Sequence, residues 1–320
     1  MAMAVDVQLV GIDVSKADLA ICRGPKLPVE VIANDRPAIR AWLRELPTRS
    51  CLALEATNTY HLEILEQAYG AGHTVYVIDG FRLNRYRESV GGRAKTDASD
   101  AQLLWRYLDR ERDQLRPWSP PSDGYRQVQQ LLRRRATLVR AKVALRQSLS
   151  GLPELKRAAA TLHRQLARID ALIQKRLLLV LRQNGWEADV HRCQAIEGIG
   201  PLTGAALNMA FRRGAFRGSD AFVAFLGLDV RVRESGQYRG RRRLTKQGDP
   251  ELRRLLYLAA MQASRSAAWK AFYQRHLNRG LSKIQALVVL ARKLARVAFA
   301  LIKNQSDYRP NIPSEACPQT

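Results

Sequence analysis

The chain is poor in cysteine, and none of its cysteines is paired in sequence. Cys22, Cys51, Cys193 and Cys317 lie far apart, which argues against a disulfide framework and against a zinc ribbon, since both need close, regular spacing. Long apolar runs are missing too. The longest stretch free of Lys, Arg, Asp and Glu, Gly198 to Phe211, has 14 residues and includes glycine and proline, short of the roughly 20 apolar residues that cross a bilayer as a helix. No membrane partner is expected. The opening Met1-Ala-Met-Ala-Val-Asp6 has neither the basic segment nor the apolar core of a secretory signal, so a cytoplasmic protein is expected. The five histidines, His61, His73, His163, His191 and His276, form no cluster. Negative charge is the largest deficit: 29 Asp and Glu stand against 53 Lys and Arg, a formal net charge of +24 and a pI near 10.7. Such an excess calls for a polyanionic partner, nucleic acid first. No zinc-finger, homeodomain or RNA-recognition signature accompanies it, so no such module reads the nucleic acid.

With 320 residues the chain can hold two or three domains. Residues 7–14, 18–22 and 29–33 read as three strands separated by short polar turns. A helix follows over 35–46, capped by Asn34 or Asp35, then a strand over 51–56, a helix over 59–69 and a fifth strand over 74–78. Three strands followed by β-α-β imply a mixed α/β sheet with helices on its faces. Two strands end in costly carboxylates, Asp13 in Gly11-Ile-Asp-Val and Glu55 after Cys51-Leu-Ala-Leu. After a Gly91-Gly92 loop, Asp97 and Asp100 open a helical pattern three residues apart, on one helix face. Asp at a helix start also serves as a cap, and a lone strand carboxylate often forms a salt bridge. Four carboxylates converging on one sheet are harder to explain that way. They would repel one another unless divalent cations sat among them, and hard oxygen ligands suit Mg²⁺ or Mn²⁺. A metal-dependent site acting on a phosphodiester is expected.

The segment 116–124, Arg-Pro-Trp-Ser-Pro-Pro-Ser-Asp-Gly, is rich in turn formers and marks a boundary. Beyond it the chain becomes long helices. The first, over 125–150, carries Arg126, Arg133, Arg134, Arg135, Arg140, Lys142 and Arg146 without an acidic residue, a row suited to phosphates. The second, over 154–183, sets Leu155, Ala159, Leu162, Leu166, Ile169, Ile173 and Val180 at alternating four- and three-residue spacing. That seam fits either a hairpin within one protomer or a coiled coil between protomers. In Ile196-Glu-Gly-Ile-Gly-Pro-Leu202 a Gly-x-Gly turn joins two apolar runs. It reads either as a helix-hairpin-helix, with Gly198 and Gly200 bringing N–H groups to a phosphate, or as an ordinary helix-helix turn. A basic loop over 230–245 holds Arg231, Arg233, Arg239, Arg241, Arg242 and Arg243, with Lys246 beside it. Helices over 250–278 and 282–304 close the chain, the latter with Ile284, Leu287, Ala291, Leu294, Ala298 and Leu301 as a buried stripe, and the tail from 310 is expected to be disordered.

Three blocks resemble the catalytic domain of the DEDD transposases encoded by insertion sequences of family 110, relatives of the Piv invertase: Gly11-Ile-Asp-Val-Ser-Lys16, Glu55-Ala-Thr-Asn-Thr-Tyr60 and Lys95-Thr-Asp-Ala-Ser-Asp-Ala101. The second half is similar to the same family's transposase domain through Gly198-Ile-Gly200, Phe225-Leu-Gly-Leu228, Arg233-Glu-Ser-Gly236 and Lys246-Gln-Gly-Asp249. The resemblance implies a RuvC-like (RNase H-like) α/β domain over 1–118, a coiled-coil helical linker over 119–186 and a mainly α transposase domain with a helix-hairpin-helix-like motif over 187–309. It marks Asp13, Glu55, Asp97 and Asp100 as metal ligands and Ser235 as a nucleophile that holds DNA as a phosphoserine. It further implies Mg-dependent cleavage and rejoining of donor and target DNA, guidance by a bridge RNA, and a dimer or tetramer. A RuvC-like junction nuclease using water, and a non-catalytic nucleic-acid-binding protein, are the alternatives.

Overall fold

A computed structural model describes residues 7–91, 96–231, 234–236, 238–240 and 242–310. They form two compact units divided after Pro120. The first is built on a five-stranded mixed sheet of β1 (Leu9–Val14), β2 (Asp18–Cys22), β3 (Glu30–Ala33), β4 (Cys51–Glu55) and β5 (Thr74–Ile78), in the order β3-β2-β1-β4-β5. The meander β1-β2-β3 is antiparallel, while β4 joins β1, and β5 joins β4, in parallel. Parallel strands need crossovers, and α2 (Leu62–Gly70) supplies the one between β4 and β5.

Strand side chains alternate between faces, so each residue's parity assigns its neighbours. Val10, Ile12 and Val14 pack with Leu52 and Leu54 against Ile39, Trp42 and Leu43 of α1 (Arg36–Glu45) and Ile64 and Leu65 of α2. Asp35 caps α1 by accepting from the Ala38 N–H. Cys51, Ala53, Tyr76 and Ile78 turn to the other face, where Leu83 of α3 (Gly80–Ser89) and Leu103, Leu104 and Leu108 of α4 (Asp97–Glu111) cover them. Each fully buried Leu or Ile stabilises by roughly 1.5–3 kcal/mol. A capping box between Thr96 and Ser99 fixes the start of α4. Gly11 decides how closely α4 can approach: a Cβ there would collide with the backbone at Ala101 and Trp105. The helix α3 is absent from the sequence reading. Only Leu83 of its ten residues is buried, so it shows little of the apolar period by which helices are recognised.

The second unit is helical, and a single core runs from Tyr125 to Ile302. Its helices are α5 (Asp123–Ser148), α6 (Lys156–Gln183), α7 (Glu187–Gln194), α8 (Pro201–Arg212), α9 (Ser219–Phe225), α10 (Pro250–Ala263), α11 (Ala267–Asn278) and α12 (Lys283–Asn304). Short ladders pair β6 (Val230–Arg231) with β9 (Arg243–Leu244) and β7 (Glu234–Ser235) with β8 (Tyr238–Arg239). Three expectations need correction. The helix read over 250–278 breaks at Ser264-Arg-Ser266, where Ser264 Oγ and Ser266 Oγ donate to the Met261 and Ala263 carbonyls. Ile284 leaves the stripe of α12, with 65% of its surface exposed, while Leu287, Ala291, Leu294, Ala298 and Leu301 are buried. The seam read over 154–183 divides: Val180 is buried, Ala159, Leu166 and Ile173 are half-buried, and Leu155, Leu162 and Ile169 are exposed, as are Leu172 and Leu179 beside them. The expectation for the tail falls on 311–320, outside the described residues. Among the described residues no helix is long and apolar enough to cross a membrane.

Candidate active site

Parity brings the four carboxylates to one face of the first unit's sheet. Asp13 follows Gly11 by two residues on β1, and Glu55 follows Ala53 by two on β4, so both belong to the face that α4 covers. Glu55 sits opposite Ile78 at the end of β4, and a Cβ on Gly80 at the start of α3 would strike its Oε1. A glycine there leaves the carboxylate its space. Asp97 is exposed in the first turn of α4, at the positive end of the helix dipole, and Asp100 is buried one turn on.

The other three carboxylates act on Asp13 through their charge. Asp13 titrates at about 6, raised from 3.8 by burial first and then by the negative charges of Asp100, Asp97 and Glu55. Asp100 has a partner that sequence reasoning missed: Arg87 Nη2 of α3 donates to its Oδ1 at 2.6 Å, with both side chains nearly buried. Charge-assisted bonds of this length are strong. Arg87 carried no signal because α3 itself was not read. Among the described residues, no three His, Cys, Asp or Glu side chains are gathered closely enough to hold a metal ion. The donor set suits a hard divalent cation in chemistry and in its shared face. Its closing around an ion requires side chains to move, and Asp100 is turned to Arg87.

In the second unit Ser235 is exposed on β7, its backbone opposite Tyr238, and Gly236 continues the turn with φ of 53°. Arg231 and Arg243 face each other across the β6-β9 ladder and are exposed, as are Arg242 and Lys246. Arg239 lies on β8, and Arg233 and Arg241 fall outside the described residues. On α5, Arg133, Arg134 and Arg140 are exposed, and Arg133 and Arg140 line a groove of about 800 Å³ with Tyr125, Phe225 and Arg254. Arg135 is engaged instead, paired with Asp170 of α6 at 2.8 Å. Gly198 is committed to packing, since a Cβ there would run into the Ala259 carbonyl of α10 and its φ of 88° disfavours other residues. Gly200 is open, with nothing near its missing Cβ at the start of α8.

Two family models match the chain, each on one of these constellations. A transposase model of the DEDD IS110 type covers residues 10–157, and the model of the "Transposase IS116/IS110/IS902 family" covers residues 190–274. The pilin gene-inverting protein of Moraxella bovis is 27% identical over 82% of each chain. A probable family 20 transposase of Pseudomonas aeruginosa is 29% identical over 86% of this chain and 90% of its own length. The transposase of insertion sequence element IS1111A from Coxiella burnetii is 25% identical over 95% and 92%. The protein belongs to the IS110/IS116 family of transposases, enzymes that cleave and rejoin DNA.

Proposed function

We propose that the chain transposes an insertion sequence by cleaving donor and target DNA through a RuvC-like carboxylate site and a serine nucleophile. The observation that carries this reading is the set of four carboxylates on one sheet face, where burial first and then the charges of Asp100, Asp97 and Glu55 raise the Asp13 pKa to about 6. Asp13, Glu55, Asp97 and Asp100 would hold Mg²⁺ or Mn²⁺, and when bound the cation supplies Lewis-acid stabilisation of charge on the scissile phosphate. The chain's own groups do the rest. Exposed Ser235 attacks phosphorus with its Oγ, forming one phosphoester as one DNA phosphodiester breaks and a DNA hydroxyl leaves. The bond count is conserved, so that hydroxyl or another DNA hydroxyl can reverse the exchange without outside energy. Arg231, Arg239, Arg242, Arg243 and Lys246 hold the strand by its phosphates, with Arg233 and Arg241 of the same loop. Arg133, Arg134, Arg140 and the open N–H end at Gly200 add contacts that carry no sequence information; Arg135 and Gly198 join them only if they leave their present partners.

Selection of the target then falls to a bridge RNA, and the work is cytoplasmic, where the DNA is. The exposed stripe Leu155, Leu162, Ile169, Leu172 and Leu179 repeats at seven and three residues along α6, which supports a coiled coil between protomers and a dimer or tetramer. A supercoiled plasmid carrying the element tests the cleavage, with Mg²⁺ and with EDTA, alongside sequencing of RNA that copurifies. Nicking that survives EDTA would remove the metal, and absence of a discrete RNA would remove the guide.

A further inference from the structure

The face of the first unit's sheet opposite the four carboxylates carries a second charged constellation. Arg36, Arg40 and Arg44 recur every fourth residue along α1, so they form one row about 12 Å long at 1.5 Å per residue. With Gln67, Thr48 and His73 they line a groove of about 640 Å³ between α1 and the end of α2. No carboxylate lines it. Like charges at i and i+4 repel, and the neighbouring acids do little to relieve them. Glu45 sits 3.7 Å from Arg23, while Glu63 reaches only Arg36, at 3.6 Å. Among the described residues Arg40 and Arg44 have no carboxylate partner. Arg44 gains from the carbonyl end of α1, but Arg36 stands in the first turn, where a cation is disfavoured.

The rest of the groove is consistent with an anion. The carbonyl end of α2 is closed by its own turn, with the Ala71, Gly72 and His73 N–H groups donating to Gln67, Tyr69 and Ala68. His73 forms part of the lining, buried, with an Nδ1 that has no hydrogen-bond partner among the described residues. Up to Pro120 the chain has 16 Lys and Arg against 16 Asp and Glu, so this row is a segregated patch in a neutral unit and not one sample of a general excess.

We propose that the groove of Arg36, Arg40 and Arg44 is a docking site for a nucleic-acid phosphodiester backbone, separate from the strand that is cleaved. It rests on the reading that nucleic acid is the protein's partner. A strand advances about 3.4 Å per nucleotide along its axis, so the arginine row spans three to four phosphates. Its neutral polar groups, Thr48 and Gln67, offer hydrogen bonds without sequence information. Such a site would hold a guide or a flanking duplex while the opposite face acts on the target.

The test is fluorescence anisotropy of short labelled single-stranded DNA, RNA of the same sequence and duplex DNA, each titrated with the full-length protein over a range of KCl. Arg40→Glu combined with Arg44→Glu changes two exposed side chains outside the core, and Arg40→Lys with Arg44→Lys keeps the charge. The plot of log affinity against log salt should flatten by about 2 in the Glu pair and stay parental in the Lys pair. Loss on all three probes assigns the site to any backbone; loss on RNA alone assigns it to the guide. An unchanged slope on every probe overturns the proposal, as does an unchanged slope with a lighter oligomer, which gives the groove to an acidic segment of a second copy. If the parental protein shows no salt-dependent binding, the nucleic-acid reading has failed and the groove falls with it.

Discussion

The two units divide charge and chemistry between them. The unit before Pro120 is neutral, with 16 cations and 16 carboxylates, while the 200 residues after it hold 37 against 13 and so carry the whole net charge of +24. The neutral unit is a sheet sandwiched by helices, with its four carboxylates on one face; the cationic unit is helical, with Ser235 exposed on a short ladder. On the proposed function, the cationic unit attracts the polyanion and supplies Ser235, and the neutral unit supplies the carboxylates. Grip can be lost without chemistry, and chemistry without grip.

The largest expected effect breaks the chemistry alone. Glu55→Gln, Asp97→Asn or Asp100→Asn should lower strand cleavage by roughly 1,000-fold or more, several kcal/mol of transition-state stabilisation, while anisotropy reports unchanged DNA affinity. Parental cleavage in any of the three removes that residue from the site. Arg87→Ala comes next: it leaves Asp100 nearly buried without its cation, and should lower unfolding free energy in EDTA by about 2–3 kcal/mol. Mg²⁺ should restore part of that loss, read as a larger cation-induced rise in melting temperature than the parent shows.

Smaller still is the pH dependence of Asp13. Its folded pKa of about 6 lies above the ordinary 3.8, so the unfolded chain ionises first and stability falls as pH rises between those values. The group is partly exposed and screened by solvent, so the cost is on the order of 1 kcal/mol. Asp13→Asn should be more stable than the parent at pH 8 in EDTA, with the difference gone by pH 4; a constant difference across that range refutes the coupling. Last, Arg133→Gln with Arg140→Gln should flatten the salt slope by about 2 and leave plasmid nicking at saturating protein unchanged. A fall in nicking at saturation would join grip to chemistry.

The carboxylates were legible because strands alternate: Asp13 and Glu55 each interrupt an apolar run, and Asp97 and Asp100 share a helix face. Their counter-charge was not, because Arg87 lies on a helix with one buried residue, and its partner is 13 positions away. Gly198 was legible as a turn, yet its reason is α10, some 60 residues on. The break at Ser264-Arg-Ser266 hides in a polar stretch whose side chains bond back to the preceding turn, a local choice that apolar periodicity does not register. The ladders around Ser235 are two residues each, below the length at which alternation can be seen. Where one residue's role depends on a distant element, sequence supplied the residue and the fold supplied the partner.

The division of labour is tested most directly by mapping the covalent link. The parental protein, Ser235→Ala and Glu55→Gln are each incubated with element DNA and Mg²⁺, denatured, digested and searched by mass spectrometry for a nucleotide on a serine. The account predicts a phosphoserine at Ser235 in the parent and none in either variant, though both still bind DNA. Recombinant product from Ser235→Ala at the parental rate, with no adduct on any serine, would contradict it and leave cleavage to water at the carboxylates.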